Sequence, residues 1–226
     1  MTYRGTSSGP HGEVYIYGNS TPTAIYVADT YHFIQGLLAD DHTRDFTFDA
    51  GHEGVLSNTA VIDVGLGLVR FTSASTIPDA GDIVNIVGST NYDGTYEVAI
   101  SGIGTFDVVA TYVAETPDPD SVYFQVPDSL IADENTSGDF RFGFSTSMFL
   151  PDSSNEVIKF ELTLNEVHLD ESAAERKIAT QNDIGCMSSG GIVTVVPGDR
   201  LCLQVKNITA AENITLKHAN FNITKL

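Results

Sequence analysis

The densest cluster of groups able to do chemistry is Asp40-Asp41-His42-Thr43-Arg44-Asp45. Its three carboxylates and imidazole could ligate a metal or act as an acid/base pair. Acidic residues are abundant throughout the chain, and a polar loop between strands accounts for the same residues without a site. Asp118 and Asp120, alternating with Pro117 and Pro119, offer hard oxygen ligands that would suit calcium at a subunit junction. Prolines there equally stiffen a connection and guard an edge strand. Asp79-Ala80-Gly81-Asp82 lacks the spaced oxygen ligands of a calcium-binding hand, and we assign it no site. Gly65-Leu66-Gly67 and Gly102-Ile103-Gly104 lack the strand-to-helix setting in which a glycine loop cradles phosphate. His11, His32, His42, His52, His168 and His218 are scattered, and no serine lies in a Gly-x-Ser-x-Gly elbow. The expectation is a chain with no catalytic, metal or cofactor-binding residues, hence no enzyme and no cofactor.

Cys186 and Cys202 are too few for a disulfide framework and lack zinc-site spacing, so both read as small buried hydrophobes. A hairpin of 192–196 with 200–206 around Pro197-Gly198-Asp199 would set Cys202 near Thr194, and a bridge to Cys186 would need a different strand. Asn-x-Ser/Thr sequons begin at Asn19, Asn135, Asn207, Asn213 and Asn222, although Asn and Thr also suit exposed strand ends and turns. Tyr3, Tyr15, Tyr17, Tyr26 and Tyr31 gather near the N-terminus. An apolar ring with a polar tip serves a binding surface and a sandwich face equally well.

The elements that must position these residues read as strands. Apolar residues alternate with polar ones at Val14 and Ile16, Phe46 and Phe48, Val69 and Phe71, and Tyr96, Val98 and Ile100. The pattern strengthens in Phe140, Phe142 and Phe144, in Ile158, Phe160, Leu162 and Leu164 against Lys159, Glu161 and Thr163, and in Leu201, Leu203 and Val205. In the last block Ile214 and Leu216 give way to Ala219, Phe221 and Ile223, a phase break that predicts a bulge or bend. Turn clusters separate the blocks, among them Pro151-Asp152-Ser153-Ser154-Asn155 and Pro197-Gly198-Asp199. The one helix-prone stretch, Asp170 to Lys177, is too short to be stable alone and reads as a loop with a turn.

A net charge of −19, from 11 basic and 30 acidic residues, repels phosphate backbones and anionic headgroups, so neither nucleic acid nor a membrane is an expected partner. The first thirty residues show no basic start followed by a long apolar run, and the expectation is no signal peptide and no span. Composition divides the chain into residues 1–57, 58–127 and 128–226. The middle segment carries its own core pattern, with strand, loop and strand across Asp79 to Val98, and fits a small barrel of about five strands.

From Phe140 to Leu226 the chain resembles the tumour-necrosis-factor-like, or complement-type, jelly roll of many phage structural proteins. The resemblance rests on Glu156 to Asn165, Ile192-Val193-Thr194-Val195-Val196-Pro197-Gly198-Asp199, Leu201-Cys202-Leu203-Gln204-Val205-Lys206-Asn207 and Asn213-Ile214-Thr215-Leu216. Gly12 to Leu56 look like that fold's first strands. Residues 58–127 resemble a small barrel of phage tail and capsid proteins named after a catalytic-cysteine half-domain of ubiquitin-activating enzymes. The segment has no cysteine, so no ubiquitin chemistry is implied.

The fold implied is all-β, an antiparallel jelly-roll sandwich with a small inserted β-barrel domain, packed as a homotrimer. The role implied is a non-enzymatic virion structural protein on the capsid surface, a decoration or cement protein whose partner is the major capsid protein or another virion protein. The alternative is a tail or fibre adhesin that recognises host glycan, which the absence of tryptophan weakens. A polysaccharide-cleaving enzyme using Asp40, Asp41 or Asp45 is the third reading.

Overall fold

The computed structural model describes residues 9–20, 23–25, 28–40, 43–119 and 121–226. The chain starts with β1 (His11–Tyr17), β2 (His32–Phe33), β3 (Leu38–Ala39) and β4 (Phe46–Asp49). It then crosses into a separate sheet made of β5 (His52–Val55), β6 (Ile62–Gly65), β7 (Leu68–Thr72), β8 (Ile83–Val87), β9 (Gly94–Gly102), β10 (Thr105–Val109) and β11 (Tyr123–Val126). It returns through β12 (Ser129–Ala132), β13 (Gly138–Phe149), β14 (Glu156–Leu164), β15 (Val167–His168), β16 (Ala174–Ile178), β17 (Gly185–Val195), β18 (Arg200–Asn207) and β19 (Thr215–Lys225). The helix-prone stretch is a single 3-10 turn at Asp170–Ser172 running into β16.

Two sheets of the outer segments face each other across one core. The first has the order β17-β13-β19-β1-β3; the second has β15-β14-β18-β12-β4, with β16 also on β14 and β2 also on β18. Period-two alternation sends Phe140, Phe142 and Phe144 inward from the first sheet and Ile158, Phe160 and Leu162 inward from the second. Leu201, Leu203, Val205, Phe221 and Ile223 complete the layer, all buried. Each large side chain removed from water contributes about 1.5–3 kcal/mol, which makes this layer the main source of stability. The phase break in β19 is a bulge, where pairing with β13 skips from His218 to Leu216.

The architecture is an all-antiparallel sandwich fold with three sheets, and it corrects the expected inserted β-barrel. Residues 52–126 form an open seven-stranded sheet, ordered β5-β11-β8-β9-β10-β7-β6. Closure would require β5 to pair along the free edge of β7, but β6 already occupies that edge at Ile62, Asp63 and Gly65. Only one bridge, Leu56 with Ser73, links the two ends. The strand β9 serves both halves of this sheet: Gly94 to Glu97 pair with β8, and Val98 to Gly102 with β10. Phe71, Tyr92, Phe106 and Phe124 pack in its core, separate from the sandwich core.

A second correction concerns residues 192–206. Pro197-Gly198-Asp199 does not close a hairpin, because β17 belongs to the first sheet and β18 to the second. The turn carries the chain between sheets, and Cys202 lies beside Ser129 and Thr163 instead of Thr194.

The inserted sheet joins the sandwich through a neck of two chain segments, one passing Gly51 and the other Pro127-Asp128. The strands on either side pair directly, Asp49 with Ser129 and His52 with Val126. A Cβ on Gly51 would sit 2.0 Å from the Val126 carbonyl oxygen, so only glycine lets the segments approach this closely. Buried Asp128 accepts hydrogen bonds from the backbone N–H of Gly51 and of Leu37, both at 2.7 Å. Burial pushes its carboxyl up to about 6, against the opposing pull of the backbone N–H groups of Leu37, Gly51 and Gly36.

Two outcomes follow at the neck. Gly51→Ala costs about 3 kcal/mol or more in urea unfolding, since backbone and not a pliable side chain must move. Asp128 has a folded pKa above its unfolded value. Its contribution is therefore fully present below about pH 4 and lost as pH rises through about 6. Relative to Asp128→Asn, the native chain should lose about 3 kcal/mol between pH 4 and pH 7; parallel pH profiles would contradict this.

Candidate functional site

Among the described residues, the sequence candidates do not converge on a metal site. Asp41, His42 and Asp120 lie outside the described residues, as do Tyr3 and Tyr26. Thr43 and Arg44 belong to a short contact with β1, in which the Thr43 hydroxyl donates to the Glu13 carbonyl and Arg44 forms a bridge with His11. The Asp45 carbonyl accepts from the Asp133 N–H at 3.1 Å, and its side chain pairs with Arg44 at the surface. The Asp118 carbonyl accepts from the N–H of Ser121 and Val122, and Asp82 accepts from the Asp79 N–H, so each is part of a turn. Among the described residues, no group of three His, Cys, Asp or Glu side chains is placed to hold a metal ion.

The cysteines part company with the expectation that both are buried: Cys202 is buried and Cys186 is exposed, and neither is in a disulfide. Burial pushes the Cys202 thiol well above its ordinary range, which keeps it protonated and inert. Among the sequon asparagines, Asn207 is fully buried, with its side chain bonded to Glu156 and to the N–H of Thr209 and Ala210. It is a structural cap of the turn after β18.

Two arrangements emerge that no single stretch of sequence announces. The first lies on the outer side of the second sandwich sheet, where Lys159 pairs with Lys206 and Glu161 with Gln204 across β14 and β18. This side is covered: the Glu161 side chain is only 2% exposed. Tyr31, just before β2, donates its hydroxyl to the Glu161 carboxylate. Lys159 Nζ lies 3.1 Å from that carboxylate and His168 Nδ1 3.8 Å. Lys206 Nζ stands 4.7 Å from the centre of the Tyr31 ring and 2.6 Å from Asp29. Burial, then the Glu161 carboxylate, raise the Tyr31 phenol to about 12. The Tyr31 oxygen, and after it Glu161, hold Lys159 above the ordinary lysine range. A phenol that stays protonated at neutral pH is neither base nor nucleophile, so the cluster works as a latch that fastens residues 29–33 to the sheet.

The second arrangement is the outer face of the first sandwich sheet. Strand register builds it rung by rung: Cys186, Ser147, His218 and Tyr17; Ser188, Ser145, Asn220 and Tyr15; Gly190, Gly143, Asn222 and Glu13; Ile192, Arg141, Thr224 and His11. Thr194 and Asp139 extend it, joined by a 2.8 Å hydrogen bond. Asn222 donates to Asn220, which in turn donates to Glu13. Across these rungs one arginine stands against two acids, and the rest is Ser, Thr, Asn, Gly, His, Tyr, Cys and Ile. The sequence signal was present in the residues alternating with Phe140, Phe142 and Phe144; their neighbours across the sheet were not.

The latch predicts a measurable cost. Tyr31→Phe removes a donor from a carboxylate that is almost wholly buried and already has Oε1 without a partner. Urea unfolding should show a loss of about 1–3 kcal/mol. A loss under about 0.5 kcal/mol would mean that Lys159 alone satisfies Glu161.

No protein-family model matches the chain, and a search of curated proteins finds no match either.

Proposed function

We propose that the chain is a non-enzymatic virion structural protein, a homotrimeric capsid decoration or cement protein, whose copies meet through the outer face of the β17-β13-β19-β1 sheet. The charge distribution on that face supports the reading. In a chain of net charge −19, contact through an ordinary surface sets carboxylate against carboxylate. Here copies would meet through serine, threonine, asparagine and glycine, whose short side chains allow close approach. Tyr15, Tyr17 and Ile192 add apolar area toward its margins. An obligate contact of this kind buries roughly 2,000 Å² or more in total.

The inserted sheet would supply the contacts to the particle. Leu66 and Ile103, each set between two glycines at a hairpin tip, are fully exposed. They lie at opposite ends of the β7-β10 pair, where Leu68 meets Val109 and Thr72 meets Thr105. Apolar tips of this sort gain free energy when seated on another protein. The resemblance of residues 140–226 to phage jelly rolls agrees with this role.

Sedimentation equilibrium should give three chain masses for the native protein and a loss of the trimer for Ser145→Glu or Ser188→Glu, with urea unfolding that depends on chain concentration for the native protein and not for the variants. A native monomer, or a trimer that tolerates both substitutions, would reject this face. Cryo-electron microscopy of the particle carrying the chain should then show density bridging capsid subunits. Density confined to the tail tip would replace decoration with receptor binding.

A further inference from the structure

The inserted sheet buries one side of β7, β9 and β10 and leaves the other open. Val69, Phe71, Val98, Phe106 and Val108 lie in its core, so alternation turns their neighbours outward. Register arranges those neighbours in rungs. Ile62, Arg70, Asp107 and Ile100 form one across β6, β7, β10 and β9, and Leu68 faces Val109 on the next. Val109 is 69% exposed, and Ile62 and Ile100 are each 47% exposed. The fully exposed tips Leu66 and Ile103 stand at the two ends of this face. Arg70 and Asp107 interrupt it without charging it. The guanidinium donates to both Asp107 oxygens, at 2.6 and 2.7 Å, and the Asp107 side chain is only 1% exposed.

That pair uses the only basic residue between positions 52 and 126, a stretch that holds ten acids. The other carboxylates of the insert therefore have no cation of the insert to answer them. Two of them rim the apolar face: Glu97, which precedes buried Val98 on β9, and Asp63, which follows Ile62 on β6, are both exposed. Asp63 accepts the Gly65 N–H, a bond that leaves its charge in place. The free edge of β6 is a poorer attachment point than the face. It is four residues long and its register against β7 shifts between Asp63 and Gly65, which blunts an edge against strand addition.

We propose that this face docks a protein segment that is apolar at its centre and carries lysine or arginine beside it. The inference rests on the reading that the inserted sheet contacts the particle, and it gives that contact its chemistry. Apolar area drives the seating, and the rim carboxylates select for positive charge. A second copy of the insert would bring the same excess of acids, and anionic lipid headgroups are repelled for the same reason. Strands about 4.8 Å apart, with about 3.3 Å per residue, make the centre of the face roughly 15 Å on a side. That is room for one extended segment, well below the roughly 800 Å² per partner of a stable protein pair, so a single contact is of micromolar strength.

The test uses the intact chain and three labelled peptides of about eight residues. One has a valine and isoleucine centre flanked by lysines, the second has the same centre flanked by glutamates, and the third has the same lysines around a serine and threonine centre. Fluorescence anisotropy gives the affinity, and methyl NMR of Ile62, Leu68, Ile100 and Val109 reports the place. The lysine-flanked apolar peptide should shift those methyls and bind with a Kd of about 10–500 μM, at least about tenfold tighter than either control. Leu66→Asn with Val109→Thr removes apolar surface at exposed positions without changing charge, and Asn suits the left-handed backbone of residue 66 at φ 59°. This variant should bind at least about tenfold more weakly with unchanged thermal unfolding. Glu97→Gln with Asp63→Asn should weaken binding at least about threefold and flatten its dependence on salt. Equal binding of the glutamate-flanked peptide, shifts confined to other parts of the chain, or native affinity in Leu66→Asn with Val109→Thr would overturn the proposal. So would shifts of the same methyls produced by raising the chain concentration, or by phosphatidylcholine vesicles, without peptide. The reading on which it rests fails separately, by the mass of the native chain or the position of its density on the particle, and neither moves the peptide measurements.

Discussion

The structure depends on the full pairing of one long strand. Of the twelve residues of β13, Gly138 to Met148 pair with β17 along one side and Phe140 to Phe149 with β19 along the other. Alternation then leaves no independent choice about its two sides. Burying Phe140, Phe142 and Phe144 forces Arg141, Gly143, Ser145 and Ser147 onto the opposite face, and the partners of those residues are fixed by the same register. The small, mostly uncharged outer face is thus the other side of the aromatic core. A slip of one residue would expose three phenylalanines and bury an arginine, so the face is as strictly specified as the core.

The inserted sheet keeps its own core, and its attachment relies on backbone proximity more than on apolar contact. Gly51 lets the outgoing segment lie against Val126 and Pro127, and Asp128 ties that segment and residue 37 together through main-chain N–H groups. A polar rung of Glu53, Gln125 and Asn85 across β5, β11 and β8 then meets the extended segment from Tyr31 to Gln35, Gln125 accepting the Phe33 N–H and Asn85 donating to the Tyr31 carbonyl. The same segment is fastened on its other side by the Tyr31 latch to Glu161. Residues 31–35 therefore transmit position between the two units: one set of bonds holds them to β18 and β14, another to β11 and β8. A seam made of directed hydrogen bonds fixes orientation tightly, because each bond needs a particular partner and angle.

Strand identity was legible in the sequence because it is written in short-range alternation, and β1, β4, β7, β13, β14, β18 and β19 all follow their apolar phase. Its failures have particular causes. Ile100 belongs by period to the face of Val98, but a bulge between Asp107 and Val108 in the partner ladder shifts the register, and Ile100 is exposed. Glu161 and Thr163 read as a solvent face yet are buried, since what covers them comes from distant parts of the chain. The hairpin expected at Pro197-Gly198-Asp199 was a fair reading of turn chemistry. Whether a turn joins neighbours or crosses between sheets depends on long-range pairing that local residues do not encode. Barrel closure failed for the same reason, as the edge competition between β5 and β6 is not visible in either strand alone. Asp79, Asp82 and Asp118 are turn components, as Asp commonly is between strands.

The distribution of charge links fold to assembly. On the described rungs of β17, β13, β19 and β1 the acids are Asp139 and Glu13, each accepting a side-chain hydrogen bond, Asp139 from Thr194 and Glu13 from Asn220, while Asp40 donates its N–H to the Glu13 carbonyl at the edge of the sheet. Among the other described acids, Asp107, Asp128, Glu156, Glu161 and Asp199 are buried, and those left at the surface keep copies apart in other orientations. A surface that repels in most directions and is neutral in one selects a single mode of association without strong attraction in that mode. Such selection suits a protein whose contacts must form in one geometry on an ordered lattice.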